Sequence, residues 1–212
     1  MVSLAYWSAS PRRGDSLRQM AGDPLMQFSK ALVFLFFVSS AAAQRPDPAA
    51  LIAAQKKAMQ ALSFMDGVWR GPAWTILPTG KHSITQTERI GPFLDGSVKV
   101  VEGRGYESDG RVGFNAFGTI SYDVASKKYN FHSYAQGMAG DFEFKVKPDG
   151  YVWEISAGPG VTIRYTATVK DGVFLEVGDQ IVAGKEPFRM FEMRLQRVGD
   201  TDWPAAGAIP QK

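Results

Sequence analysis

The chain has 212 residues, 45% of them hydrophobic and 21% charged, a balance that excludes a disordered or collagen-like polymer and fits one domain with a small appendage. It contains no cysteine and two histidines, His82 and His132, which excludes disulfides, thiolate metal sites, cysteine nucleophiles, iron–sulfur clusters and a three-histidine metal site built from one chain. The formal net charge is +3, and beyond residue 43 no Lys/Arg cluster exceeds two residues, so no basic face for nucleic acid is visible.

Residues 26–43 have the order of a secretory signal peptide. Lys30 supplies the basic start, Ala31-Leu-Val-Phe-Leu-Phe-Phe-Val38 the apolar run, and Ser39-Ser-Ala-Ala-Ala43 the small-residue cleavage site. The run is shorter than the roughly 20 apolar residues that span a bilayer. Cleavage is expected after Ala43, giving a periplasmic or secreted protein with no stable membrane anchor. Residues 1–25 are polar, mixed in charge and long for a signal's first region, so translation is expected to begin at Met26 or Met20. Arg12-Arg13 lies too far ahead of the apolar run for a twin-arginine signal. Loss of residues 1–43 removes four basic and two acidic residues and lowers the net charge from +3 to +1.

Asp47 followed by Pro48 is a helix-start signal, and the Ala-rich stretch beyond it predicts a helix over about 48–63, within an N-terminal segment 44–63. Leu51, Ala58 and Leu62 fall near one face, with Ile52 and Met59 beside it. From Val68 the period changes to two. Four Asp-Gly pairs, at 95–96, 109–110, 149–150 and 171–172, mark tight turns between runs of alternating apolar and polar residues. Ten strands are predicted: 68–77, 82–91, 97–107, 111–122, 128–136, 140–148, 150–157, 160–170, 173–183 and 187–198. With no helix between them long enough for a crossover, this is an all-β protein. The expectation is an antiparallel up-and-down barrel over 64–198, because a sheet of that size closes to remove its edges. Residues 199–212 read as a C-terminal tail.

Gly67-Val-Trp69 opens the first strand directly after the helix. It resembles the G-x-W feature of the calycin superfamily, which includes lipocalins, fatty-acid-binding proteins and nitrobindin-like barrels. Trp69-Arg-Gly71, Glu88-Arg-Ile-Gly91, Leu94-Asp-Gly96, Tyr122-Asp123 and Tyr129 together resemble a narrower bacterial calycin-like group, domain-of-unknown-function family 1579, over about residues 62–198. The resemblance implies that Trp69 closes one end of the barrel and that Arg194 and Arg197 from the last strand cover it. Nitrobindin-like members hold haem through a histidine near the C-terminus. This chain has no histidine after His132, so haem at that position is not expected, and neither a metal nor another cofactor is.

Candidate ligand-contacting residues follow from parity along the strands. Asn130, His132 and Tyr134 share one face of their strand, and Glu102 and Arg104 share a face with Val98, Val100 and Tyr106. Pointing inward, these would orient a ligand in an apolar barrel; pointing outward, they are solvated side chains. Tyr151, Trp153, Ile163 and Tyr165 form apolar stripes on neighbouring strands, as core packing or as cavity lining, and Trp153 and Tyr165 complete the candidate set. His82, beside Lys81 after a turn, is expected to be exposed. No G-x-S-x-G elbow, phosphate loop, H-E-x-x-H or dinucleotide fingerprint is present. The expected function is therefore binding of a small, apolar or amphipathic ligand inside an exported barrel. The alternatives are a hydrolase- or isomerase-like enzyme with His132 or Glu102 as general base, and an envelope interaction module with a filled barrel. N-terminal sequencing of the exported protein should read Gln44 first; finding residues 1–25 on it would overturn both the start site and the cleavage site.

Overall fold

A computed structural model describes residues 47–201 and Trp203. The signal segment 26–43, the segment 1–25 and most of the C-terminal tail lie outside the described residues. Asp47 caps the helix α1 (Pro48–Met59), accepting a hydrogen bond from the Ala49 N–H at 3.0 Å. The helix expected to run to 63 is α-helical to Met59 and then tightens into a 3-10 turn over Gln60–Met65. At three residues per turn, Leu62 and Met65 fall on one side, and both are buried.

Ten strands follow: β1 (Gly67–Leu77), β2 (Gly80–Phe93), β3 (Val98–Tyr106), β4 (Val112–Asp123), β5 (Lys128–Ala135), β6 (Met138–Lys147), β7 (Gly150–Ser156), β8 (Val161–Lys170), β9 (Val173–Val182) and β10 (Phe188–Gly199). Each pairs antiparallel with the next, and β1 pairs with β10, so the up-and-down sheet closes on itself. The Asp-Gly turns serve different purposes. Asp171 and Gly172 both adopt positive φ, 53° and 74°, in the β8–β9 hairpin. Gly150 is required by close approach instead, since a Cβ there would lie 1.9 Å from the Ala167 carbonyl oxygen.

Period two divides every strand between an inner and an outer wall. Ile84, Gln86, Glu88 and Ile90 of β2, Phe131, Ser133 and Ala135 of β5, and Ile163, Tyr165, Ala167 and Val169 of β8 are all buried. The residues between them are half-buried or exposed. α1 and the 3-10 turn lie at the end of the barrel where β1 begins. The Tyr129 hydroxyl donates to the Ala58 carbonyl at 2.8 Å, the Gln55 side chain donates to the Tyr122 carbonyl at 3.3 Å, and Lys56 pairs with Asp95. Asp123 accepts from the Ser126 backbone N–H at 2.6 Å and its hydroxyl at 2.8 Å, fixing the turn into β5.

Trp69 is 1% exposed. Its indole N–H donates to the Met65 carbonyl at 2.9 Å, and its ring meets Phe174 edge-on at 5.6 Å. It thus joins the 3-10 turn to β9, two strands away around the barrel. Of the two arginines expected over it, Arg197 is its Cα partner across the β1–β10 ladder and reaches the Asp66 carbonyl at 3.4 Å. Arg194 does not cover it. Met193 and Leu195 hold the inward positions on β10, and strand parity sends Arg194 to solvent. Trp69→Ala should destabilise the protein by about 3–5 kcal/mol, the range for truncating a buried large aromatic. Denaturant unfolding measures it, and a loss under about 1 kcal/mol would show that Trp69 does not close the core.

Candidate functional site: the polar interior of the barrel

Among its apolar residues the inner wall carries a group of polar side chains from four strands. Gln86 and Glu88 come from β2, Tyr151 and Trp153 from β7, Tyr165 from β8 and Glu176 from β9, and all are buried. Their inward direction follows from parity: Gln86 and Glu88 alternate with Ile84 and Ile90, and Glu176 lies two residues from Phe174. The Gln86 amide donates to Glu88 Oε1 at 2.8 Å, and the Trp153 indole N–H donates to Glu176 Oε1 at 3.0 Å. Trp153 stacks on Tyr165 with ring centres 4.3 Å apart and planes 16° from parallel. Burial, the negative charges of Glu176 and Glu88 and a hydrogen bond with Glu176 hold the pKa of the buried Tyr151 hydroxyl well above the ordinary phenol value.

Glycine makes room for this group. Gly103 of β3 is the Cα partner of Glu88. A Cβ at Gly103 would lie 2.8 and 3.1 Å from the two Glu88 carboxylate oxygens and 3.2 Å from the Gln86 amide nitrogen. Burial raises the Glu88 pKa, the negative charge of Glu176 pushes the same way, and the Gln86 hydrogen bond opposes both.

The end of the barrel opposite α1 carries a cavity of about 390 Å³, with Ile76, Leu77, Ile163, Gln180, Phe188 and Met190 in its lining. Along β9, Gln180 at this mouth, Gly178 and Glu176 point inward in succession, and Tyr165 and Phe191 crowd the space over Gly178. His82, expected to be exposed, is half-buried at the same end, where its Nε2 lies 3.2 Å from Glu107 Oε1. β2 parity places it on the inner wall with Ile84. At the helix end, the buried Lys99 pairs with Asp66. Burial lowers the Lys99 amine and raises the Asp66 carboxyl, each against the pull of its partner.

Trp153 and Tyr165 come together in the interior. Glu102, Arg104, His132 and Tyr134 lie elsewhere, on the outer wall, where Tyr134 shares a cavity with Glu102 and Arg104 and also contacts His132. On β5 the bulk of Phe131 takes the inner face with Ser133 and Ala135, so Asn130, His132 and Tyr134 face out, and Tyr134 is 52% exposed. On β3 the inner positions are Lys99, Val101, Gly103 and Gly105, which leaves Glu102 and Arg104 outside as a pair at 2.8 Å. His132 Nδ1 lies 2.6 Å from Asp141, with the Tyr134 ring 4.7 Å from its own. Glu102, Arg104, Phe117 and Tyr134 line a shallow outer cavity of about 290 Å³. The interior reading of these four residues is therefore corrected. Gln86, Glu88 and Glu176 were missed, although Gln86 and Glu88 alternate with two isoleucines and the glycines of Gly103-Arg-Gly105 mark a crowded inner wall opposite them.

No family model matches the chain, and no curated protein matches it. Among solved structures it is similar to the crystal structure of Rv2717c from M. tuberculosis, at 14% identity and a TM-score of 0.51, over 66% of this chain and 97% of that one. That likeness carries the fold. Among the described residues, no group of three or more His, Asp or Glu side chains is placed to hold a metal ion, and no helix is long and apolar enough to cross a membrane.

Because the folded barrel holds the Glu88 proton more tightly than the unfolded chain does, this group favours folding below its ordinary value of 4.5 and loses that contribution as the pH rises through the raised pKa. Glu88→Gln keeps shape and hydrogen-bonding atoms and removes the ionisation. Its stability relative to wild type should be level at pH 4 and should rise as the pH climbs above 4.5 through the raised pKa. Thermal melts of both proteins across that range test it; a constant difference would show that Glu88 does not titrate in the folded barrel.

Proposed function

We propose that this protein is an exported binding barrel that holds a small, largely apolar or amphipathic ligand in its interior without reacting with it. The calycin-like kinship read from Gly67-Val-Trp69 and the motifs after it, and export by cleavage at Ala43, belong to the same proposal. The observation that carries it is the polar group on the inner wall. A barrel serving only as a packed solid is more stable with apolar residues at such positions, because desolvating a carboxylate costs several kcal/mol. An apolar interior with a few convergent polar groups is the chemistry that orients a ligand. Closure of one end by Trp69 and the 3-10 turn, and the cavity at the other, give such a ligand one direction of approach.

The enzymatic alternative assigned the general base to His132 or Glu102, and both stand on the outer wall, where they do not meet an interior ligand. Native mass spectrometry of the processed chain purified gently from its host is the test. A co-purifying organic molecule that leaves on unfolding is the expected result. Bare protein that also fails to take up the neutral probe Nile red would overturn the reading.

A further inference from the structure

We propose that the barrel wall has a side gate: the mouth halves of β6 and β7 part along an unpaired seam and admit the ligand to the Trp153–Tyr165 stack, with Phe142 as the side chain that closes the way. This inference rests on the interior-ligand reading above and adds its route of entry. β6 and β7 pair only from Phe144 opposite Trp153 to Lys147 opposite Gly150, in the half toward the helix end. Continued in the same register, Glu143 would face Glu154, Phe142 would face Ile155 and Asp141 would face Ser156, and none of these pairs forms. Residues 138–143 pair with β5 alone, and residues 154–156 with β8 alone. Two strand edges therefore face one another in the mouth half of the wall without a ladder between them.

The charge pattern explains where the ladder stops. Two glutamates directly opposite one another on the outer face of a sheet repel. Each turns instead to a partner on its own side of the seam. Glu154 accepts from Arg164 of β8 at 2.6 Å, and Glu143 lies 3.2 Å from Lys145 and 3.7 Å from Lys128 of β5. Asp141 is held by His132 of β5 at 2.6 Å. Among the described residues, no ion pair crosses the seam. On its inner face it is closed by apolar packing, with the Phe142 ring 5.2 Å from Trp153 and 6.1 Å from Phe131. Such contacts part without breaking a hydrogen bond, so this stretch opens at lower cost than a laddered one. Both ends of the route are in place. Where the ladder stops, a cavity of about 60 Å³ between Glu143, Val152 and Glu154 reaches Trp153, whose ring stacks on Tyr165 in the interior. Toward the mouth, Ile155 is the Cα partner of Ile163, which lines the cavity of about 390 Å³ together with Ala157. The seam thus extends the mouth down one side of the barrel, and the ligand still approaches from the end opposite α1.

The chain has no cysteine, so the double variant E143C/E154C carries a single pair of thiols, astride the seam on the outer wall. Oxidation to the disulfide, or a short bis-maleimide where the thiols stand too far apart for one, clamps the gate. Stopped-flow fluorescence then follows uptake of Nile red by the protein purified from its host. The clamped variant should take up the dye at least about tenfold more slowly than the same variant with its thiols free, at unchanged equilibrium affinity, because a clamp on the outer wall raises the barrier to entry and touches no ligand. Phe142→Ala should speed uptake, and Phe142→Leu, which keeps the packing apolar, serves should the alanine variant melt early. Where a co-purifying molecule excludes the dye, its rate of release on dilution is read in the same way. Equal rates in clamped and unclamped protein would overturn the gate and leave the ligand-binding reading standing. Affinity lost on clamping, with the melting curve unchanged, would place the dye on the seam itself and overturn the gate as well. Wild type that takes up no dye and yields no co-purifying molecule would overturn both readings. A wild-type rate in both Phe142 variants would overturn the part assigned to that ring.

Discussion

When β1 pairs with β10, every strand residue is assigned to one of two environments, water outside or the low-dielectric interior. Parity then decides the consequence of each side chain. Glu88 and Glu102 have the same chemistry and lie on adjacent strands. Glu88 faces the interior, where its charge is costly and its pKa rises. Glu102 faces out and pairs with Arg104 in a contact of the kind that contributes little in water. Trp69 and the 3-10 turn close the interior at the helix end.

The fold was legible in the sequence because its signals are local and repeated. Asp47-Pro48 marks a helix start, and the hairpins follow one another with alternating strands between them, so all ten strands are where alternation predicts them, within a few residues. The walls were harder to read. On β5 both faces carry aromatics, Phe131 on one and Tyr129 beside it in parity, Tyr134 on the other, and periodicity alone does not say which is buried. The burial of Phe131 against Phe142, Phe144 and Trp153 settles it, and those rings come from other strands. On β3, Val98 and Val100 drew the assignment toward the wrong face, since Val101 is the one apolar side chain on the inner positions there and Lys99 and two glycines fill the rest.

The same misreading hid the polar interior. A lone glutamate in an alternating strand is read as solvent-facing, and Glu176 between Leu175 and Val177 fits that habit. Its burial depends on Phe174 and Gly178 sharing its side, with Tyr165 and Phe191 packed over Gly178. The role of Gly103 is steric: it leaves the volume that the Glu88 carboxylate fills. The informative pattern is the combination of a polar residue in an otherwise apolar parity series with glycine at its cross-strand partner.

The motif residues from which kinship was read divide along the axis of the barrel. Trp69, Tyr122, Asp123 and Tyr129 lie at the helix end and hold the cap in place. Leu94 and Asp95 adopt positive φ, 48° and 55°, in the turn that presents Asp95 to Lys56 of the helix. Glu88 alone among the motif residues that carry charge is buried on the inner wall, where it is held by Gln86 and packed against Gly103. A structural cap needs no buried carboxylate, and removing the ionisation should stabilise the fold. The physical account of the cap therefore covers the aromatic motifs and the turn and stops at Glu88, which belongs to the buried polar group of the inner wall.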